Sequence, residues 1–177
     1  MERHGSLDLG SEHALATRGR SQLLDDGHQV RHEILRGWWI DTGKKDPLLH
    51  CNRLVLDTIE HRVDGHVDDQ SRVERRVVIE EGVQLIRSVV RGPAIIGART
   101  RLVDTYVGPY TSIGANVELE GIEIEHSIVL DGARMRFIAP RVEGSLIGPR
   151  ARVTRDFDMP RAVRLAIGEG AQVSFAA

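Results

Sequence analysis

The chain has 177 residues, a formal charge of −2 and 4% aromatic residues. A nearly balanced charge gives no electrostatic case for nucleic acid or an anionic membrane as partner. The single cysteine, Cys51, excludes an intrachain disulfide, and no stretch reaches the roughly 18 consecutive apolar residues of a membrane span; a soluble, cytoplasmic protein is expected.

Residues 1–20 mix charge, Gly and Ser without a period and are left unassigned, with disorder expected. The stretch 21–27 (SQLLDDG) reads as the end of a helix stopped by Gly27. Residues 29–35 (QVRHEIL) alternate apolar and polar and predict a strand. The apolar, turn-rich segment 37–43 (GWWIDTG) precedes a helix. There Asp46 is expected to cap, Pro47 to take the first helical position, and Leu48, Cys51, Val55 and Ile59 to share a face. Residues 61–70 read as a polar connector.

From residue 85 the sequence repeats every 17 residues, in four abutting blocks: 85–101, 102–118, 119–135 and 136–152. The twelfth column reads Ile96, Ile113, Leu130, Ile147. The residue after it is Gly97, Gly114, Asp131 and Gly148. The sixth column is Val90, Val107, Ile124, Arg141, and the first is Leu85, Leu102, Leu119, Arg136. A weaker block, 68–84, places Val73 and Ile79 in register. Such a period means stacked units, none able to bury its apolar face alone.

Within a block the aliphatics fall at intervals of five, six and six, as in Leu85, Val90, Ile96 and Leu102. That is one inward side chain per short strand and three strands per coil. A helix would need intervals of three and four. Small or β-branched residues recur four places after the aliphatic one, as at Ala94, Thr100, Thr111, Val117 and Ala151. The pattern predicts a mainly β fold, a parallel β-helix of hexapeptide type with coils of about 17 residues. Gly after the aliphatic residue is assigned to tight corners, where its backbone freedom helps. The inward column is expected to hold Ile79, Ile96, Ile113, Leu130 and Ile147. The period breaks at 154–160, and 162–175 should add a closing strand pair around Ile167, Gly168 and Val173.

The strand and helix of residues 29–60 form too little core for a domain of their own. Trp38 and Trp39 need a surface to pack on. This half is therefore expected to belong to a larger domain.

Residues 21–60 resemble the end of the catalytic domain of sugar-1-phosphate nucleotidylyltransferases. The nearest likeness is to long-form glucose-1-phosphate thymidylyltransferases of deoxysugar pathways. The likeness rests on Gly-Trp-Trp-x-Asp-Thr-Gly at 37–43 and Asn-Arg-Leu-Val-Leu-Asp at 52–57. Those enzymes carry a C-terminal left-handed β-helix, which 125–130 (EHSIVL) and 144–148 (GSLIG) resemble. The resemblance implies three parts: 1–20 unassigned, 21–60 a remnant of the catalytic domain, and 61–177 the left-handed β-helix.

The family's opening loop, Gly-x-Gly-x-Arg-Leu-x-Pro, cradles nucleotide phosphates through backbone N–H groups, and no such stretch occurs here. The resemblance thus implies a C-terminal fragment, inactive by itself. It also implies Mg²⁺ in the parent enzyme, with Asp41 as one ligand; no cofactor is expected for this chain alone, since the second carboxylate and the nucleotide would lie elsewhere. A homo-oligomer through the β-helix, or through an exposed Trp38 and Trp39 face, is the expected partner.

The same residues admit other readings. Asp-Thr-Gly also marks aspartic proteases, but the helix after it favours a simple turn. His126 could be the general base of a hexapeptide-repeat acyltransferase; a solvated His on an outer face is the simpler account. His28 and His32 lack a third ligand for zinc. Arg134, Arg136 and Arg141 interrupt the inward columns, through a bulge or, less economically, by pairing with Glu123, Glu125 or Glu143.

Overall fold

The structure is a computed structural model that describes residues 25–27, 29 and 39–155. The chain divides into two compact units, Met1–Trp39 and Ile40–Ala177. In the first, Asp25 is helical and Gly27 has φ 78°, the left-handed geometry of a helix-stopping glycine. Residues 30–35 of the strand expected at 29–35, with His28, His32 and Trp38, lie outside the described residues, as does the strand pair expected at 162–175.

The second unit is a three-sided parallel β-solenoid of about five turns, the fold that a left-handed β-helix requires. The first sheet stacks Arg62–Val63, Val77–Ile79, Ala94–Ile96, Thr111–Ile113, Ile128–Val129 and Leu146–Ile147. The second stacks His66–Val67, Gln84–Ile86, Arg101–Val103, Glu118–Glu120, Arg134–Arg136 and Arg152–Thr154. The third stacks Arg72–Val73, Val89–Val90, Tyr106–Val107, Glu123–Glu125 and Val142–Glu143. The polar stretch 61–70 is therefore a coil, not a connector. Its apolar content is confined to Val63 and Val67, which is why the hydrophobic period misses it.

The inward columns match the expected ones over the first three blocks and then shift. Ile79, Ile96 and Ile113 stack in register, but the next member is Val129, followed by Ile147. Leu130 points outward and is 40% exposed, whereas Val129 is 1% exposed. Likewise Leu119 stacks on Met135 rather than Arg136, and Ile124 on Val142 rather than Arg141. The cause is a pair of opposite length changes. Between Ile124 and Val129 the chain is one residue shorter than between Val107 and Ile113. Between Met135 and Val142 it is two residues longer than between Leu119 and Ile124. Strand side chains alternate, so a shift of one residue turns every side chain to the other face.

Arg136 thus leaves the core through the shorter Ile124–Val129 run and Arg141 through the bulge at 137–141, and the arginines pair as well. Arg134 and Arg136 reach Glu118 at 3.2 and 3.3 Å, and Arg136 reaches Glu120 at 3.4 Å. Arg141 reaches Glu123 at 2.8 Å and Glu125 at 3.1 Å. These pairs lie on the outer faces, where water pays for little desolvation loss.

Corners are built by left-handed residues that are mostly not glycine. Arg99, Asn116 and Arg150 have φ of 57°, 56° and 58° in one corner, with Gly82 and Gly132 in the same column. Tyr110 and His126 serve another corner at φ 57° and 48°. Gly97 and Gly114, which follow the aliphatic column, have a different role. A Cβ on Gly97 would lie 2.5 Å from the Gly114 carbonyl carbon, and one on Gly114 would collide with the Asp131 carboxylate. They let successive coils approach. Asp131 takes the exceptional place because its Oδ1 accepts the Ala115 N–H at 2.8 Å.

The core holds Ile79, Leu85, Val90, Ile96, Leu102, Val107, Ile113, Leu119, Ile124 and Met135, each 2% exposed or less. Buried hydroxyls link one coil to the next. Ser88 Oγ accepts from Thr105 N at 3.1 Å, and Thr100 Oγ1 accepts from Val117 N at 3.0 Å. Among the described residues, no buried side-chain polar atom lacks a partner.

Ile113→Ala should lower unfolding stability by about 2–5 kcal/mol, whereas Leu130→Ala should cost well under about 1 kcal/mol. Denaturant unfolding of both variants checks the register, since a stacked Leu130 would make them equal. A second expectation concerns the corner pair Arg87–Asp104, whose guanidinium donates to the carboxylate at 2.7 and 2.6 Å. That bond holds the Asp104 carboxyl below its usual range. A lowered native pKa gives stability that is present above the unfolded value and lost as pH falls through the native one. Asp104→Asn should therefore be less stable than the parent at neutral pH and converge with it in strong acid, as read from thermal melts across pH.

Candidate functional site

Asp41 is the residue that the sequence singles out for chemistry. It sits in a turn: Oδ1 accepts the Gly43 N–H at 2.9 Å, two residues on. Asp and Gly favour this geometry because the short side chain closes the turn on its own backbone. The carboxylate is exposed, and among the described residues no group of three or more His, Cys, Asp or Glu could hold a metal ion. Mg²⁺ takes several oxygens in octahedral geometry, so the described residues alone do not fit it.

The helix Lys45–Leu56 follows, which we label α1. Its N-cap is Lys44, which makes no side-chain cap bond, rather than Asp46. Asp46 lies in the first turn, where its charge still suits the helix dipole. Pro47 is the third helical residue, two positions inside the expected first one. The buried face also differs from expectation. Leu56 is fully buried, while Val55 is 49% exposed. Burying Leu56 contributes roughly 1.5–3 kcal/mol.

A polar residue, Asn52, sets this orientation. Its Nδ2 donates to the Tyr110 carbonyl at 3.1 Å, and its Oδ1 accepts from Ser112 Oγ at 2.6 Å. Both partners lie on the solenoid, 58 and 60 residues away. The amide thus reads one strand by a donor and an acceptor together. Asp57 closes the helix. Arg76, a corner residue, donates to the Asp57 carbonyl at 2.8 Å and to its Oδ1 at 3.0 Å. A cation is favoured here because unsatisfied carbonyls give a helix C-terminus negative potential. Tyr110 Oη lies 3.3 Å from the same Oδ1, and the Arg53 guanidinium lies 4.7 Å from the Tyr110 ring centre. The His126 ring packs on Tyr110 at 5.4 Å.

Asn52, Arg53 and Asp57 on the helix, with Arg76, Tyr110, Ser112 and His126 on the solenoid, therefore form one cluster. It is a clasp: it fastens and orients, and contains no nucleophile with an adjacent base. His126 is exposed and occupies a left-handed corner; its ring packs on an aromatic, not on the carboxylate that would orient a general base. The sequence pattern finds the helix but not its buried face, because a periodicity search scores Asn52 as solvent-facing. The Asn-Arg-Leu-Val-Leu-Asp run holds Asn52 and Asp57, the two ends of the clasp.

A groove of about 620 Å³ lies at the corner between the second and third sheets, beside the bulge. It is lined by the Arg87–Asp104 pair, Tyr106, Glu123, Pro140 and Arg141. Arg141 covers Tyr106 at 5.1 Å and Arg91 lies at 5.9 Å from it, so the ring is already engaged.

Asn52→Ala should destabilise the chain by about 1–3 kcal/mol, because the Tyr110 carbonyl and Ser112 hydroxyl lose partners in a part-buried site. Asn52→Asp should not restore stability, since a carboxylate cannot donate to Tyr110. Thermal unfolding of the two variants checks this.

No family model matches the chain. It is 45% identical over 147 residues to a glucose-1-phosphate thymidylyltransferase of Streptomyces griseus, covering 83% of this chain and 41% of that protein. A glucose-1-phosphate thymidylyltransferase of Streptomyces antibioticus is 39% identical over 157 residues, covering 89% of this chain and 44% of that protein. A low-salt glycan biosynthesis nucleotidyltransferase of Haloferax volcanii is 37% identical over 154 residues, with 85% of this chain and 43% of its own length covered. The chain thus spans less than half the length of these relatives. Across most of its own length, it is homologous to a C-terminal portion of the glucose-1-phosphate thymidylyltransferases.

Proposed function

We propose that this chain is the solenoid-bearing part of a glucose-1-phosphate thymidylyltransferase, acting in the making of nucleotide sugars, and that it does not transfer nucleotides by itself. The supporting observation is the joint between α1 and the solenoid. The helix α1, which carries the Asn-Arg-Leu-Val-Leu-Asp run, is fixed to a rigid β-stack by Asn52 and Asp57. The arrangement can position; it cannot activate a phosphate. The phosphate-cradling loop is absent from the 177 residues, and Asp41 is one carboxylate where Mg²⁺ chemistry needs several oxygens.

In the whole enzyme a divalent cation would neutralise charge as the sugar phosphate attacks the nucleotide. The role of this chain is to hold the Asp41–Gly43 turn at a defined angle to the rest of the site. Among the described residues no helix is long and apolar enough to cross a membrane. The lone Cys51 supports a reducing compartment, so we assign the protein to the cytoplasm. The acyltransferase reading is not favoured, because His126 is committed to the clasp.

The 177-residue chain should release no pyrophosphate from dTTP and glucose 1-phosphate above a no-enzyme control. Joined at Gly37 to the preceding portion of the Streptomyces griseus protein, it should release pyrophosphate. Asp41→Ala in that fused protein should lower the rate by about ten-fold or more. Activity of the free chain, or an Asp41→Ala fusion as active as its parent, would refute the assignment.

A further inference from the structure

We propose that a groove at the solenoid corner formed by Glu74, Arg75 and Arg76 binds a phosphate monoester, held by Arg75 together with His61 and Arg76. The site does not involve Asp41 and does not depend on the function assigned above.

The groove measures about 570 Å³ and is lined by His61, Val73, Glu74, Arg75, Arg76 and Gly92. It lies where the chain turns from the third sheet, after Val73, into the first sheet at Val77. A concavity of this size suits a small molecule. Gly92, in the next coil, adds backbone alone to the wall, and a Cβ there would collide with the Arg75 and Arg76 carbonyl oxygens.

Donors outnumber acceptors in the lining. Glu74 is its one carboxylate, and the Arg91 Nε–H already donates to it at 2.9 Å. Arg76 uses a single nitrogen, Nη2, for the Leu56 and Asp57 oxygens, which leaves its Nε–H and Nη1–H to donate. His61 Nδ1 accepts the Val77 N–H at 3.4 Å. The proton of the neutral ring is therefore on Nε2, a further donor. Arg75 is exposed and makes no hydrogen bond or ion pair among the described residues.

The charges agree with the donors. Asp57 matches Arg76 and Arg91 matches Glu74, so the Arg75 charge is left uncompensated. The groove beside the bulge is different: there Asp104 matches Arg87, and Glu123 and Glu125 match Arg141. Guanidinium forks fit phosphate oxygens in pairs, and a phosphate has more acceptor oxygens than a carboxylate to meet two guanidiniums and an imidazole N–H. Val73 is half-buried and offers an apolar wall to the organic part of the ester.

Isothermal titration calorimetry of the 177-residue chain tests the site, with inorganic phosphate and glucose 6-phosphate as probes and acetate at equal ionic strength as control. Both phosphates should bind at one site per chain, and acetate should not bind. Arg75→Ala should weaken phosphate binding by about ten-fold or more. It should leave the melting temperature without ligand unchanged, because Arg75 bonds nothing in the fold. Arg72→Ala removes another exposed arginine, one outside the groove, and should bind phosphate as the parent does. Equal weakening in the two variants would mean a general attraction of anions and overturn the site. Acetate binding as tightly as phosphate, or failure of both phosphates to bind, would overturn it too. None of these outcomes bears on pyrophosphate release, so the proposed function is judged separately.

Discussion

The parallel backbone ladder between coils is the constraint on which everything else in this protein depends. Each strand of two or three residues is too short to be stable alone. It persists because its N–H and C=O groups meet those of the coils above and below. Asp64 N to Ile79 O, Gly97 N to Ile113 O and Leu130 N to Ile147 O illustrate the bonds, at 2.8, 2.7 and 2.9 Å. Once the ladder is set, each coil must place one aliphatic residue inward on each sheet. Gly97 and Gly114 must stay small so that coils can close to bonding distance.

The ladder also explains the unusual backbone at the corners. A chain that turns three times per coil uses left-handed residues at most of its bends, and the protein places Arg, Asp, Asn, Tyr, Phe and His there as well as Gly. Each such residue carries about 1–2 kcal/mol of local strain. The offset comes from stacking. Arg99 bonds Asn116 at 2.9 Å, Arg87 bonds Asp104, and Phe137 lies over Gly121, where a Cβ would come within 2.7 Å of its ring. Corners that would be weak in isolation become columns of contacts.

The solenoid is thereby rigid enough to orient something else. Tyr110 and Arg76 are corner residues, and their left-handed backbone projects them outward to meet the helix. The device that shapes the coil and the device that holds α1 are the same residues. The stack fixes the angle of a helix whose relatives are much longer proteins. What the solenoid does to α1 is geometric: it fixes the helix through Asn52 and Asp57.

By itself the sequence determined the coil, the three-sided stack and most inward columns, because burial in a narrow core leaves a strict periodic trace: Ile79, Ile96 and Ile113 could be placed from spacing alone. It also determined the helix and the likeness carried by 37–43 and 52–57. Only the tertiary structure decided where the period slips. A residue lost between Ile124 and Val129 and two gained between Met135 and Val142 nearly cancel, so the blocks stay aligned as text while Leu130 leaves the core and Val129 enters it. The buried face of α1 was likewise settled in three dimensions. Asn52 is polar and reads as surface until Tyr110 and Ser112, distant in sequence, supply its hydrogen bonds. Hydrophobic pattern reports which residues avoid water, and it is silent on polar groups that are buried because they are paired.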